Sequence, residues 1–542
     1  MVRRGLLRNF KFSHKKYMAK LKSSVVFKSS NQQQALLLPP SLDELIPSKH
    51  LVRVVNEVVE SMDISTLLSQ YAGGGTSSYH PRILLKVLLY GYCTKIYTGR
   101  RIAKALTQDI HFMWLSAMSR PDFRTINNFR SGKAKEVIEV LFKELLDLLI
   151  EFDYIKMENY FCDGTSIRAD GNARKMVWRK NAERYKKMSE QKCSELLKEI
   201  DSLNETEERV YGNQDLEERG ENTSVTPAMI DERIAKLNET IKKTTDKKTL
   251  RKAGGLKKKI EEANTKIKKY ERQIRVAGKR GGYNKTDEDA SGMMMKNKVE
   301  VLPAYNILAG SEDQFITGIS VHQNPSDGTC FKEHLERIAY QQSIQPSKII
   351  GDAGFGSQHN YELLEQKGIE NYLKFSFFHK EQKQSFKKNP YLRENFKYVS
   401  EADLYICPNQ KELIHQKTTQ QTDKKTGCVS TIKEYVCRDC SGCPFYKDCC
   451  KSEAGKPRSI KFNEKLETYK EQARSNLRSP QGEKLRKQRC IEIESCFGDI
   501  KHNMGFRRFH LRGLEKVKTE ITLVAMAHNL RKLFFKTLKN AA

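Results

Sequence analysis

Apolar residues recur at helical spacing through the first third of the chain. Leu51, Val54, Val55, Val58 and Val59 mark one face of a helix, because residues three and four apart share a face. Ile83, Leu84, Leu85, Val87, Leu88 and Leu89 would cover most of a helix surface, which predicts a buried helix. Gly73-Gly74-Gly75 breaks the chain between the two. Residues 100–109 and 123–130 predict two shorter helices, with Ser119, Arg120 and Pro121 in the turn. This is helix-turn-helix spacing, whose second helix would present Arg124, Thr125, Asn127, Asn128 and Arg130 to a DNA groove. Ordinary packing of paired helices is the alternative. Residues 41–150 are thus expected to form a helical DNA-binding domain behind a basic arm over 1–40.

The period then shortens. Tyr154, Ile155, Tyr160, Phe161 and Cys162 stand among polar residues and lead to Asp163-Gly164-Thr165, which predicts a strand ending in an acidic turn. Over 185–285 the helical period returns as a heptad. Leu256, Ile260, Ala263, Ile267, Tyr270 and Ile274 follow 4-3-4-3-4 spacing, and Ile230, Ile234, Leu237 and Ile241 repeat likewise. With Gly254-Gly255 between the runs, an antiparallel, coiled-coil-like helical hairpin is expected. It is either a solvated structural insertion or a basic arm lying on DNA. From 299, strands are predicted over 301–308 and 314–321, a helix over 332–342, a short buried strand over 348–352, a helix over 361–366 and a strand over 370–375. Counted from the first strand, the order is strand, strand, strand, helix, strand, helix, strand. An RNase H-like α/β core has this order, and other α/β folds share the alternation. The core would comprise 151–184 and 286–399. A Cys-rich insertion would fill 400–455, and basic helices 456–542.

Charge narrows the choice of partner. Lys and Arg outnumber Asp and Glu by 97 to 67 over 542 residues, a formal net charge of +30. So basic a chain suits a polyanion, and phosphate neutralisation makes nucleic acid the first candidate. No apolar run approaches ~20 residues, which argues against a membrane. Residues 1–28 are basic without the apolar core of a signal peptide, so a cytoplasmic protein is expected. Seven of the thirteen cysteines lie between Cys407 and Cys450, and such clustering in a reducing compartment points to metal rather than disulfides. Cys437, Cys440, Cys443 and Cys449 follow a C-x2-C-x2-C-x5-C pattern, the spacing of a structural Zn²⁺ site. Cys407 makes one ligand too many and leaves the set open. An iron–sulfur cluster is the alternative, and free thiols the plain one. No H-E-x-x-H pair and no phosphate-binding G-x-x-x-x-G-K-[ST] loop occurs.

The acids suggest the chemistry. Two divalent ions can serve the attacking and leaving oxygens of an in-line phosphoryl displacement, and Mg²⁺ needs only a few carboxylates converging from different elements. Asp163 and Asp352 end neighbouring predicted strands, where α/β sites gather. Glu494 sits on a late helix able to pack across that edge. Gly351, Gly354 and Gly356 flank Asp352 and would admit a DNA backbone. His322 and Asp327 lie near the third strand as candidates for supporting groups. Turn and helix-cap roles are the alternative for each acid.

The blocks Asp163-Gly164-Thr165, Asp352-Ala353-Gly354-Phe355-Gly356 and Glu494-Ser495-Cys496-Phe497-Gly498-Asp499-Ile500-Lys501 resemble the three catalytic blocks of bacterial insertion-sequence DDE transposases. The stretches Asn503-Met504-Gly505-Phe506-Arg507-Arg508-Phe509 and Ala527-His528-Asn529-Leu530-Arg531-Lys532 extend the resemblance. So do Leu42-Asp43-Glu44-Leu45-Ile46-Pro47, His80-Pro81-Arg82 and Pro121-Asp122-Phe123-Arg124, which are similar to that group's helical N-terminal domain. The resemblance covers about 35–535. It implies an RNase H-like catalytic domain, Mg²⁺ or Mn²⁺ on Asp163, Asp352 and Glu494, and cutting and joining of double-stranded DNA at inverted-repeat ends. It also implies a nucleoid-associated protein working as a dimer or larger assembly. Lys501, seven residues after Glu494, would share its helix face and meet a DNA phosphate, with Arg507 and Arg508 beyond it. One departure stands out. Related enzymes carry a Tyr and an Arg seven and four residues before the Glu, where this chain has Lys487 and Cys490, with Arg489 one place off. Glu492 competes for the glutamate role, and only one of the two can face the metals. An RNase H-like nuclease without strand transfer, and a DNA-binding protein without catalysis, are the rival readings.

Overall fold

Most helix starts in the N-terminal part coincide with side chains that can accept a first-turn N–H. In the computed structural model, which describes residues 40–71, 78–211, 227–243, 247–295, 299–450 and 456–540, each N-terminal helix with such a residue is capped by it. His50 caps α1 (Leu51–Ser61), His80 caps α3 (Pro81–Cys93), Thr98 caps α4 (Gly99–Ala105), Asp109 caps α5 (Ile110–Leu115) and Asp122 caps α6 (Phe123–Ser131). A single turn, α2 (Ser65–Leu68), follows α1, and α7 (Lys133–Glu151) closes the set. As expected, α3 is buried almost all round; even its Lys86 is enclosed, bonded to Asn56 and Glu60 of α1. The expected helix-turn-helix is altered, because α5 fills part of the stretch expected to be a turn. The basic arm, apart from residue 40, and the 73–75 break lie outside the described residues. Of the unit that ends at Leu45 only residues 40–45 are described; there Ser41 and Glu44 each donate a backbone N–H to the other's side chain, at 3.2 and 3.3 Å.

A mixed sheet follows. β1 (Asn159–Arg168) starts beneath Glu312, whose carboxylate accepts the backbone N–H groups of Lys156, Met157, Glu158 and Asn159 at 2.5–2.9 Å. β2 (Met176–Trp178) pairs with β3 (Gly282–Asn284), and this two-stranded stem carries the helical insertion. The insertion departs from the expected hairpin. It holds three helices, α8 (Arg179–Tyr211), α9 (Pro227–Lys243) and α10 (Lys247–Ala277), with α10 packed on both others. Gly254 and Gly255 lie inside α10 rather than in a break. Each glycine costs about 1 kcal/mol there, offset by burial of Ala253, Leu256, Ile260, Ala263 and Ile267 against Cys193, Leu196, Leu197 and Ile230. The side chains of Leu237 and Ile241 lie outside the described residues.

β4 (Ser291–Met294), β5 (Val301–Glu312), β6 (Phe315–His322), α11 (Asp327–Gln341), β7 (Lys348–Gly351), α12 (Gln358–Gln366) and β8 (Glu370–Leu373) complete this part. The order β1, β5, β6, α11, β7, α12, β8 matches the sequence expectation. In space the strands run β6-β5-β1-β7-β8, with β5 antiparallel to both neighbours and β7 and β8 parallel to β1; β4 extends the β6 edge of β5. Alternation along β1 separates the two faces. Tyr160 and Cys162 join Phe331, Leu335, Ile349, Tyr361 and Leu364 beneath α11 and α12. Phe161 faces the other side, in an apolar cluster that continues through Ile493, Phe497 and Val524 into the N-terminal helices.

After a short turn, α13 (Gln384–Lys387), comes a five-stranded antiparallel sheet of β9 (Lys397–Val399), β10 (Leu404–Ile406), β11 (Glu412–Thr422), β12 (Val429–Cys437) and β13 (Ser459–Phe462), with α14 (Tyr446–Cys449) between the last two strands. The chain then returns through α15 (Glu464–Arg478) and α16 (Pro480–Gly498), takes a π turn over Asp499–Asn503, and ends in α17 (Leu514–Asn540), which packs against α3, α7 and β6. No helix of the described residues is long and apolar enough to cross a membrane.

Candidate active site

Asp163 lies in the middle of β1, not at its end: the strand runs on to Arg168. β7 leaves its edge of β1 at Gly351, and among the described residues that edge is bridged again only at Arg168, by Arg508. Asn159, Tyr160 and Phe161 pair in parallel with Lys348, Ile349 and Ile350. Two steps further, the same register sets Asp163 beside Asp352. The Asp352 carboxylate accepts the Gly354 N–H at 2.8 Å, which fixes the turn leaving β7. Asp163 shares the Phe161 face, against which α16 packs.

On α16 the residue that reaches Asp163 is Arg489. Its guanidinium stands 3.7 Å from Asp163 Oδ2 and 3.3 Å from Glu494 Oε1, and so bridges two of the three expected acids. Its Nε and Nη1 are buried without a hydrogen-bond partner among the described residues. The one-place offset noted in the sequence therefore still delivers an arginine to the acids. Glu494 is half exposed, whereas Glu492 is 4% exposed and accepts the Gln314 N–H at 2.6 Å on another side of the helix. Lys501 departs from expectation. The π turn removes the seven-residue return to one helix face, and its ammonium donates instead to Thr165 Oγ1 at 2.5 Å and Ser166 O at 3.0 Å. It braces β1 beside Asp163.

Burial raises the Asp163 pKa to about 6, opposed by Arg489 and the Gly164 N–H and assisted by Asp352 and Asp327. Asp327, in the first turn of α11, is a fourth acid here. Burial raises its pKa too, Asn306 opposes that through a 2.6 Å hydrogen bond, and Asp352 adds to it. Gly164 makes room for it: a Cβ at that position would lie 2.3 Å from Asp327 Oδ1. Gly328, next along, packs so closely on the Asp352 turn that a Cβ would lie 2.4 Å from Gly354 O. Lys374, just past β8, has its pKa lowered by burial and then by Arg489, while Asp352 opposes. The sequence placed Asp327 only as a supporting group near the third strand, and nothing in it singled out Lys374.

Among the described residues no three His, Cys, Asp or Glu side chains are already set to hold a metal ion. The donor chemistry nonetheless fits a hard divalent cation: oxygen ligands from separate elements, with an unsatisfied guanidinium beside them to receive a further oxygen. In the Cys-rich part, Cys407, Cys437, Cys440, Cys443, Cys449 and Cys450 all line one cavity of about 20 Å³. Lys411 N–H points to Cys407 Sγ at 3.3 Å and Arg458 N–H to Cys440 Sγ at 3.4 Å. Donors of this kind orient sulfur ligands.

The expected DNA-contacting residues separate. Arg124 is exposed on α6. Arg130 is not available: it is 4% exposed and donates to Tyr92 Oη, Tyr97 O and Asn127 Oδ1 at 2.7–3.1 Å. Asn127, half buried, is engaged by that bond. Arg507 is exposed and donates to Lys501 O at 3.1 Å, while exposed Arg508 pairs with Asp170.

A protein-family model described as a transposase DDE domain matches residues 406–534, and one described as a transposase domain (DUF772) matches residues 40–132. No curated protein and no solved structure matches the chain.

Proposed function

We propose that the chain is an insertion-sequence DDE transposase, as the two transposase family-model matches support, and that it cuts and joins DNA at the inverted-repeat ends of its element, with Asp163, Asp352 and Glu494 as metal ligands on an RNase H-like core. The observation that carries this is the register of β1 and β7, which sets Asp163 beside Asp352, with Glu494 linked to Asp163 through Arg489. Mg²⁺ or Mn²⁺ bound there would supply charge stabilisation at the attacking and leaving oxygens of the phosphodiester. The chain's own groups do the rest. The three carboxylates hold and neutralise the ions. Arg489, with unsatisfied N–H groups between the acids, presents donors to a non-bridging phosphate oxygen. Lys374 adds positive charge on the β8 side.

Arg124, Arg507 and Arg508 remain as exposed contacts for the DNA backbone, and two copies hold the two element ends. The thiols lining the cavity of the Cys-rich part hold a structural Zn²⁺, with Cys407 competing with Cys437, Cys440, Cys443 and Cys449 for its four positions. The decisive experiment incubates the protein and Mg²⁺ with duplex DNA spanning the gene's flanks. Cuts at the flanks and joining to a second duplex are expected. Both should vanish in Asp163→Asn, Asp352→Asn and Glu494→Gln while DNA binding persists. Equal cutting by wild type and variants means that other residues act, cutting without joining supports the nuclease reading, and binding without cutting in every protein supports the non-catalytic one.

A further inference from the structure

The strands β11 and β12 continue past the sheet that contains them. β10 pairs only with Glu412–Ile414, and β13 only with Lys433–Val436. Beyond these, Thr419–Thr422 and Val429–Ile432 form a two-stranded ribbon with no third strand among the described residues. Gln420, Gln421 and Thr422 on it are exposed, as is Thr418 at its base. Its tip is fixed. Asp423 Oδ1 accepts the N–H groups of Lys425 and Thr426, both at 2.8 Å, and Gly427 takes a φ of +72° that favours glycine. This turn holds Lys424 and Lys425 out in solvent. Lys417 and Lys433, lower on the ribbon, pair with Glu434 and Glu464, whereas the two tip lysines have no ion pair among the described residues.

The ribbon is braced against α12, the helix that follows the Asp352 turn. Ser430 Oγ donates to Gln358 Oε1 at 2.8 Å, and Cys428 Sγ lies 3.8 Å from Glu362 Oε2. Gln358 and Glu362 belong to α12, which begins six residues after Asp352. Between them, Asn360 Nδ2 donates to Gly328 O and Phe355 O, tying the Asp327 turn to the Asp352 turn. Lys425 is near enough to Cys330, one turn into α11, to act on it electrostatically, although burial and then Asp327 dominate that thiol.

We propose that this ribbon tip is a DNA-backbone contact, with Lys424 and Lys425 each holding a phosphate of the duplex close to the bond being cut. The inference rests on the transposase reading. Both tip lysines are exposed and neither forms an ion pair among the described residues, so their charge is left for a partner in solvent. The polyanion brought to the acidic centre is the complement. Threonine and glutamine along the ribbon suit phosphate and groove-edge oxygens, and a two-stranded ribbon has the width of the major groove.

The test uses the full chain and a duplex spanning one gene flank. In a Lys424→Ala/Lys425→Ala variant, the slope of log affinity against log salt should shrink by ~1.8, the release expected for two phosphate contacts. Hydroxyl-radical protection should be lost at phosphates next to the cut and kept elsewhere. Circular dichroism should be unchanged, since neither lysine is paired. An unchanged slope, or protection lost only far from the cut, overturns the proposal even where wild type cuts normally. A reduced slope in a protein that never cuts leaves the ribbon as a DNA contact and sinks the catalytic reading instead.

Discussion

Replacing Gly164 by alanine tests how the acids are assembled. The added methyl would lie 2.3, 2.4 and 2.6 Å from Asp327 Oδ1, Cγ and Oδ2. The backbone at Gly164 is ordinary strand, so any strain comes from that contact alone. The carboxylate must retreat by about 1 Å to reach normal separation, away from Asn306 Nδ2, now 2.6 Å from Oδ1. Overpacking costs ~1–3 kcal/mol, and losing a hydrogen bond to a charged group ~1.5–3. These overlap, and a loss of ~2–4 kcal/mol is expected for Gly164→Ala in urea unfolding followed by circular dichroism. Asp327→Ala vacates the space the methyl needs. In that background Gly164→Ala should cost under ~1 kcal/mol, a coupling of at least ~1 kcal/mol between the sites. Equal costs in both backgrounds would refute the reasoning, because Gly164 would then not be admitting Asp327.

Two further outcomes follow from buried groups. His528 Nδ1 lies 2.8 Å from Asp499 Oδ2 and Nε2 lies 3.0 Å from Gln314 O. Burial alone would lower its pKa, but Cys496 and Asp499 outweigh it and raise it to about 10. A histidine raised from 6.5 contributes fully below pH 6.5 and loses that contribution as pH climbs toward 10. The wild-type unfolding midpoint should fall across that window and the fall should vanish in His528→Gln; a variant with the same pH slope contradicts the assignment. For the Cys-rich part, elemental analysis should find one zinc per chain, absent after Cys440→Ser and retained after Cys490→Ser, since Cys490 is exposed on α16. Metal-free protein with native circular dichroism would exclude a structural role.

Periodicity made much of this architecture legible. The buried helix α3, the alternation around β1 and the order of elements from β5 to β8 follow from spacing alone. What it missed depends on contacts between distant residues. Nothing local says that Arg130 will be walled in by Tyr92 and Tyr97, so an arginine on a plausible recognition helix reads as a DNA contact until packing removes it. The glycine pair in α10 looks like a break, and becomes helix because flanking apolar residues bury against α8. Lys501 sits at helical spacing from Glu494, but the intervening π turn changes its direction. The turn is stabilised by tertiary contacts, with Tyr97 donating to Met504 O at 2.5 Å and His528 bonded to Asp499.

The same distinction applies inside the acidic centre. The glycines expected to admit a DNA backbone beside Asp352 make close approaches within the protein: a Cβ at Gly351 would lie 2.6 Å from Leu373 Cδ2 and one at Gly356 2.3 Å from Lys374 O. Two further glycines do the same between the acids: Gly164 admits Asp327 to β1, and Gly328 admits the carbonyl of Gly354. Three chain segments, each carrying an acid, are thereby held nearer than side chains at those positions would permit. Holding carboxylates this close costs free energy while they are uncompensated, which is why burial and mutual repulsion raise both Asp163 and Asp327. Arg489 offsets part of that cost for Asp163 but leaves two of its own nitrogens unsatisfied. A centre with crowded acids on one side and unsatisfied donors on the other favours cations at the first and phosphate oxygens at the second, the two halves of a metal-dependent phosphoryl transfer.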